Sequence, residues 1–543
     1  MEQLNNTLPT AVEEKTEAAV NLQNSMESPL LGQVRQKFEI TGLLSLIFGS
    51  LFTFSFYEAG MGINAFFFTG VMVILLIIAM KQFAISMKST TYLYYGAALL
   101  LGLSSSLTAN GSIQAMNTVG TIFLLNLSLL HQLHEDGKWE FAEHFGKMIG
   151  MLFYGLASIP MPFVDGVRFM KRTRFFKNDR VRNVFLGLLL SVPILWLLIV
   201  LLSGADMLFS DLTIKIFATF FSPTIFVIAI MILFGFFSCY CILCGAAAQT
   251  GKKERTGYKK GNSAIAETVM LLICVVYAVF CGFQFLYLFA GGFFALPDGI
   301  TFSEYARGGF FQLLAVTIIN VALMVMCTTF FEESRLLHIL LTLMTACTYI
   351  MIFSAGYRML LYVDAYKLTF LRLLVLLALV IISLVLLGVI ISVYKKNFPL
   401  FRYSVAVITI CYLGFSLARP DYWIAVYMIQ QKPVLEEEDA FFLLQELSLD
   451  AAPVVVPLLN DSNRWDKAMF YSYSDAKGMY EEEYETDARV LQGDWTSLDY
   501  RGILYYKKIQ RENRFRGVRD FNFSVRQASG IMENNPIRFY KNE

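Results

Sequence analysis

Leu368 to Tyr394 reads L-T-F-L-R-L-L-V-L-L-A-L-V-I-I-S-L-V-L-L-G-V-I-I-S-V-Y, a run in which Arg372 is the only charged residue. At about 1.5 Å of rise per residue, a helix of this length spans the roughly 30 Å of a bilayer's hydrocarbon. Similar runs flank it at 336-357 and 400-418. They recur upstream at 40-58, 61-80, 91-108, 113-133, 183-203, 215-246, 264-290 and 308-331. The reading is about eleven spans. The whole chain agrees: of 543 residues 56% are hydrophobic and 16% charged, where a soluble protein carries about 25% charged residues. A net charge of +1, with no basic tail and no nucleic-acid motif, excludes DNA and RNA as partners.

The expected fold is all-α, a polytopic transmembrane helical bundle with a small, mainly helical extracytoplasmic C-terminal domain. Residues 1-38 are polar and acidic and read as a flexible cytoplasmic tail. Residues 39-419 form the membrane domain, and 420-543 the C-terminal domain, whose first half is acidic and whose last forty residues are basic. Within the membrane domain, 134-182 holds an apolar stretch broken by Gly150, Gly155, Pro160 and Pro162. It reads as an interfacial segment on the cytoplasmic surface, with a hairpin entering and leaving one face as the alternative. Orientation follows from Lys and Arg. Lys81, Lys88, the Arg168 to Arg182 cluster, the Lys252 to Lys260 cluster, Lys395 and Lys396 all fall on one side if the amino terminus is cytoplasmic, which places the carboxyl terminus outside a bacterial plasma membrane.

Little in the chain announces chemistry. All eight cysteines lie in predicted spans, and Cys239, Cys241 and Cys244 read as small packing residues before they read as a metal pair. His131, His134, Glu135, Asp136 and His144 could ligate a metal, but a solvated helix end explains them more simply. No G-x-S-x-G, Walker loop or dinucleotide fingerprint is present. No cofactor or metal is expected. The candidate ligand-binding residues are Arg358, Asp364, Arg372, Arg307 and Asp206, gathered by the topology at the outer boundary. An arginine within a span costs roughly 3 kcal/mol unless paired or hydrated, so Arg372 should face carboxylate, carbonyl or water. These groups read first as a structural ion-pair collar and second as a site for an anionic ligand such as a lipid headgroup.

Several segments resemble a bacterial family of polytopic membrane proteins known as domain of unknown function 4173, close to the one numbered 4153. They are L-S-G-A-D at 202-206, Y-A-R-G-G-F-F at 305-311, S-A-G-Y-R-M-L-L-Y-V-D-A-Y-K-L-T-F-L-R at 354-372, P-D-Y-W-I-A at 420-425 and L-S-L-D-A-A-P at 447-453. Lys367 stands where that family tends to have glycine, and Ala452 where it tends to have valine. The resemblance implies a many-span membrane protein with an outer tail and carries no activity with it. Two functions are therefore expected. One is a transport-type or lipid-handling protein with membrane lipids as partners. The other is an envelope sensor or assembly scaffold whose C-terminal domain binds an extracytoplasmic protein. An embedded enzyme stands third.

Overall fold

The computed structural model describes residues 28–172, 223–250, 260–289, 310–395, 397–470, 496–514 and 516–536, with scattered positions between 183 and 206. Every regular element among them is helical, because hydrocarbon offers the backbone no water and a helix satisfies its polar groups internally. A short α1 (Pro29–Gln36) precedes α2 (Phe38–Phe56), α3 (Ile63–Gln82), α4 (Thr91–Leu107) and α5 (Gly111–Leu133). The bent pair α6 (Phe141–Ala157) and α7 (Met161–Arg172) follows, then α8 (Pro223–Ala248), α9 (Ser263–Phe289) and α10 (Phe310–Phe330). The membrane part ends with α11 (Arg335–Tyr366), α12 (Phe370–Tyr394) and α13 (Leu400–Leu417). Five helices complete the tail: α14 (Pro420–Gln431), α15 (Glu437–Phe441), α16 (Ala452–Leu458), α17 (Ser497–Arg514) and α18 (Phe523–Asn534).

Nine of the described helices, α2, α3, α5 and α8 to α13, are long and apolar enough to cross a membrane, and up to eleven spans result if two bent pairs, α6 with α7 and Glu437–Glu446 with Leu449–Leu458 in the tail, each count as one. The expected span at 91-108 is α4, a little short of that length. The one at 183-203 lies outside the described residues apart from scattered positions. One boundary differs clearly. The span expected to end at Tyr357 continues to Tyr366, since nothing after Gly356 breaks a helix, so Asp364 joins Arg358 on α11.

Helices α2, α3, α4, α5 and α8 pack into one group, and α9 to α12 into a second, while α13 bridges α4 and α12. The bent pair closes one end: α6 lies against α8, and Asp165 of α7 meets Arg35 of α1 at 3.1 Å and Tyr240 of α8 at 2.9 Å. Small residues bring backbones together where lipid supplies no hydrophobic drive between helices. A Cβ on Gly49 would stand 2.3 Å from the Ile232 carbonyl oxygen, and one on Gly235 2.6 Å from the Gly49 Cα. The tail has its own core, in which Ile424, Leu443, Val455, Val456, Ile509 and Val525 are buried and the Trp465 indole donates to the Leu458 carbonyl at 3.0 Å. Gly49→Val should therefore separate α2 from α8 and lower the melting temperature of the purified protein by several degrees, whereas Gly96→Val, where a Cβ meets nothing within 4 Å, should change it much less.

Candidate functional site

The tail domain grips the membrane part through two loops. In the α4–α5 loop, the Asp450 carboxylate accepts from the Thr108 hydroxyl and, at 2.7 Å, from the Ala109 backbone N–H, while Ser524 donates to it from α18. Asp421 accepts from the Asn110 side chain at 2.8 Å and from the Ser448 N–H at 3.0 Å. Asn522 donates to the Thr108 carbonyl at 2.7 Å and also caps α18. Burial pushes the Asp450 carboxyl above its usual range, against the pull of its three donors and of Arg419. In the α2–α3 loop, Arg516 donates to the Met61 carbonyl at 2.6 Å, Asp520 accepts from the Gly60 N–H at 3.0 Å, and Ile63 donates to the Phe521 carbonyl at 2.8 Å. Arg519 donates to Phe54 and Tyr57, carbonyls at the end of α2, both at 2.8 Å. Gly62 is needed here, since a Cβ would stand 2.4 Å from the Asp520 carbonyl oxygen.

The expected outer cluster is only partly brought together. Arg372 stacks on the Tyr362 ring at 4.1 Å and donates to the Lys367 carbonyl, so this intramembrane cation meets an aromatic face and a backbone oxygen. Arg358 reaches Gln284 at 3.4 Å, which also accepts from Ser354. Asp364 and Asp206 are exposed, and Arg307 lies outside the described residues. The group that links this turn to the tail is Lys367. Its φ of 127° is in a region ordinarily left to glycine, and its ammonium stands 2.7 Å from the fully buried Asp439, which Lys432 also reaches at 2.8 Å. Burial opposes the Asp439 charge, yet the two lysines and the Glu436 N–H outweigh it and hold the carboxyl below the usual range.

At the opposite end, the histidines expected on a solvated helix end are buried. The turn Asp136–Lys138 folds back over the end of α5 and carries Asp136 against His131 at 2.9 Å, His144 at 3.4 Å and Arg402 of α13 at 2.7 Å. Burial works against the Asp136 carboxylate, but these donors hold it well below the usual carboxylate range. His131 also meets the Thr90 hydroxyl, and the His144 ring stacks on Phe401. His134 is pushed down to about 4, first by burial and then by Lys147. A polar cavity of about 620 Å³ opens beside this network, with Glu140, Lys260, Glu333 and His338 on its walls. Among the described residues no three His, Cys, Asp or Glu side chains could hold a metal ion.

A second cavity, of about 630 Å³, is of the opposite character. It lies between α2, α3, α4, α5 and α8 and is faced by Phe48, Phe52, Phe56, Phe68 and Phe234, with no charged side chain on its described walls. Its α2 wall runs from Leu44 to Phe56, about 18 Å at 1.5 Å per residue. Ile122 and Phe234, both exposed, mark its lipid-facing side. Ala59 and Met61 close the tail-domain end, so the loop held by Arg516 and Asp520 is the chamber's roof.

An all-helical bundle with nine to eleven candidate membrane spans defines a polytopic membrane protein. Residues 95–458 match the family model described as Domain of unknown function (DUF4153), and the chain belongs to that family. No curated protein and no solved structure matches it. The match runs from α4 into the tail and includes Asp421, Asp439 and Asp450.

Two predictions follow from this geometry. Lys367→Ala loses the ion pair and keeps the unfavourable backbone, whereas Lys367→Gly loses the pair but relaxes the backbone. The glycine variant should be the more stable of the two by about 1–3 kcal/mol in thermal or denaturant unfolding. His134 resists protonation when folded, so between pH 6.5 and about 4 the unfolded chain takes up a proton that the folded one does not. Stability should fall as pH drops through that window, and His134→Gln should flatten the melting-temperature profile between pH 7 and 5.

Proposed function

We propose that this protein handles a membrane amphiphile, holding its hydrocarbon chain in the apolar chamber beneath a roof set by the tail domain. The observation that carries this reading is the chamber itself: about 630 Å³, uncharged, the length of a lipid chain, with one exposed side and its end closed by a clasped loop. The tail then acts on the ligand indirectly, by fixing Met61 and Ser105, which line the chamber and whose carbonyls Arg516 and Asn522 hold.

In this reading the tail domain is extracytoplasmic and the protein sits in a bacterial plasma membrane. Lys81, Lys88, Arg168, Lys260 and Lys395, gathered at the end away from the tail, support that orientation. Arg358, Asp364 and Arg372 serve as a collar under the tail, since Arg372 is already engaged by Tyr362 and the Lys367 carbonyl. The likeness of 354-372 to the 4173 group remains part of this proposal. A chain arriving from lipid gains little from hydrophobic transfer, so affinity must come from packing and from the few polar groups on the walls.

Native mass spectrometry of the purified protein tests the reading. Wild type should retain a bound lipid, and filling the chamber with Thr121→Phe and Ser238→Phe should reduce its occupancy by about tenfold while the melting temperature stays within a few degrees. Equal retention by the filled variant, or crosslinks that seat residues 183-203 in the chamber, would contradict it.

A further inference from the structure

The turn that holds the chamber's roof also presents apolar side chains away from the protein. Between α17 and α18 it runs through Gly517 to Asp520, with the Gly517 N–H donating to the Asp520 carboxylate at 2.6 Å. Val518, at its tip, is 93% exposed. After it Phe521, Asn522 and Phe523 alternate: Asn522 is buried and donates to the Thr108 carbonyl at 2.7 Å, whereas Phe521 and Phe523 are exposed. Turn tips that meet water usually carry Gly, Asn, Asp or Ser. Exposed apolar groups set so close together mark a surface that something other than water covers.

The position of the turn says what that is. Arg519 donates at 2.8 Å to both the Phe54 and Tyr57 carbonyls, which close α2, and its guanidinium lies 5.6 Å from the centre of the Phe54 ring. Phe54 is itself exposed, on a helix long and apolar enough to cross a membrane. Val518 follows in sequence on the residue's other side, so it stands level with the last turn of that helix, where hydrocarbon gives way to headgroups. The local charge suits anionic headgroups. From Arg511 to Arg526 the chain carries five arginines against Glu512 and Asp520. Asp520 is buried on backbone N–H groups, Glu512 reaches Arg516 at 3.5 Å, and the neighbouring Glu58 accepts from the Tyr57 hydroxyl at 2.9 Å. Arg514 and Arg526 are exposed. Asn513 donates to Ser529 at 3.1 Å, which sets the two helices that carry them side by side.

We propose that the 517–523 turn is a membrane anchor: Val518, Phe521 and Phe523 enter the leaflet on the tail's side, and Arg514 and Arg526 pair with the phosphates of anionic lipids. Apolar insertion and charge pairing together hold a surface segment more firmly than either alone. Since Arg516 and Asp520 of the same turn grip Met61 and Gly60, the leaflet braces the loop over the chamber. The proposal rests on α2 crossing a bilayer and not on what the chamber holds.

The test uses the full-length protein in nanodiscs, with an environment-sensitive fluorophore on Val518→Cys. The native cysteines are buried or partly buried, and wild type treated with the same label gives the background. Val518, Arg514 and Arg526 are exposed, so replacing them leaves the fold intact. Brominated acyl chains should quench the label at least about twofold more than iodide in the water does. Exchanging half of a phosphatidylcholine bilayer for phosphatidylglycerol should raise the bromolipid quenching by about twofold, and Arg514→Gln with Arg526→Gln should abolish that rise. Quenching by iodide alone would place the turn in water and overturn the proposal. Quenching by neither reagent, the result if a protein surface covers the turn, would overturn it as well. Bromolipid quenching indifferent to lipid charge would overturn the role given to the arginines. Each outcome leaves the occupant of the chamber to its own experiment.

Discussion

Two buried carboxylates, Asp450 and Asp421, hold the α4–α5 loop to the tail domain, and the arrangement at that end of the molecule depends on them. Each is surrounded by donors from both partners: Thr108, Ala109 and Asn110 from the loop, Ser448 and Ser524 from the tail. Because burial already works against the Asp450 charge, each donor matters, and withdrawing the loop would strip the acid of two of its three donors, leaving Ser524. The second loop, gripped by Arg516, Asp520 and Phe521, sits directly over the apolar chamber. In this way the conformation of the tail is tied to a cavity among the long apolar helices.

The membrane part was largely legible in the sequence because lipid imposes a length and a composition that few other constraints imitate. Leu368 to Tyr394 could be read without a partner, and it forms α12 over nearly that range. The continuation of α11 to Tyr366 was not legible, since hydropathy marks where apolar residues stop and the helix follows backbone geometry beyond that point. Segments 420-425 and 447-453 stood out as resemblances, but their aspartates gained meaning only when α4 and α18 were placed beside them. The burial of the histidines is illegible in the sequence for a similar reason: Arg402, which answers Asp136, lies 266 residues away. Phe48, Phe52 and Phe56 show an i, i+4 stripe, yet a stripe says which face is apolar and not whether the space before it is filled.

Lys367 joins these two levels. Its side chain ties the α11–α12 connection to the buried Asp439 of the tail, while its backbone adopts a conformation that glycine would take without strain. A lysine at this position accepts local strain for a tertiary ion pair. The two cavities divide the molecule in a comparable way: the polar one gathers charge at the end away from the tail, and the apolar one lies under the clasp.

Electron cryomicroscopy of the full-length protein in lipid nanodiscs puts the central claim to the most direct trial. The account predicts elongated non-protein density along Phe48, Phe52 and Phe56, with residues 57–62 and 108–110 seated on the tail domain above it. A chamber filled by the protein's own side chains, or a tail domain detached from both loops in an otherwise intact bundle, would contradict it.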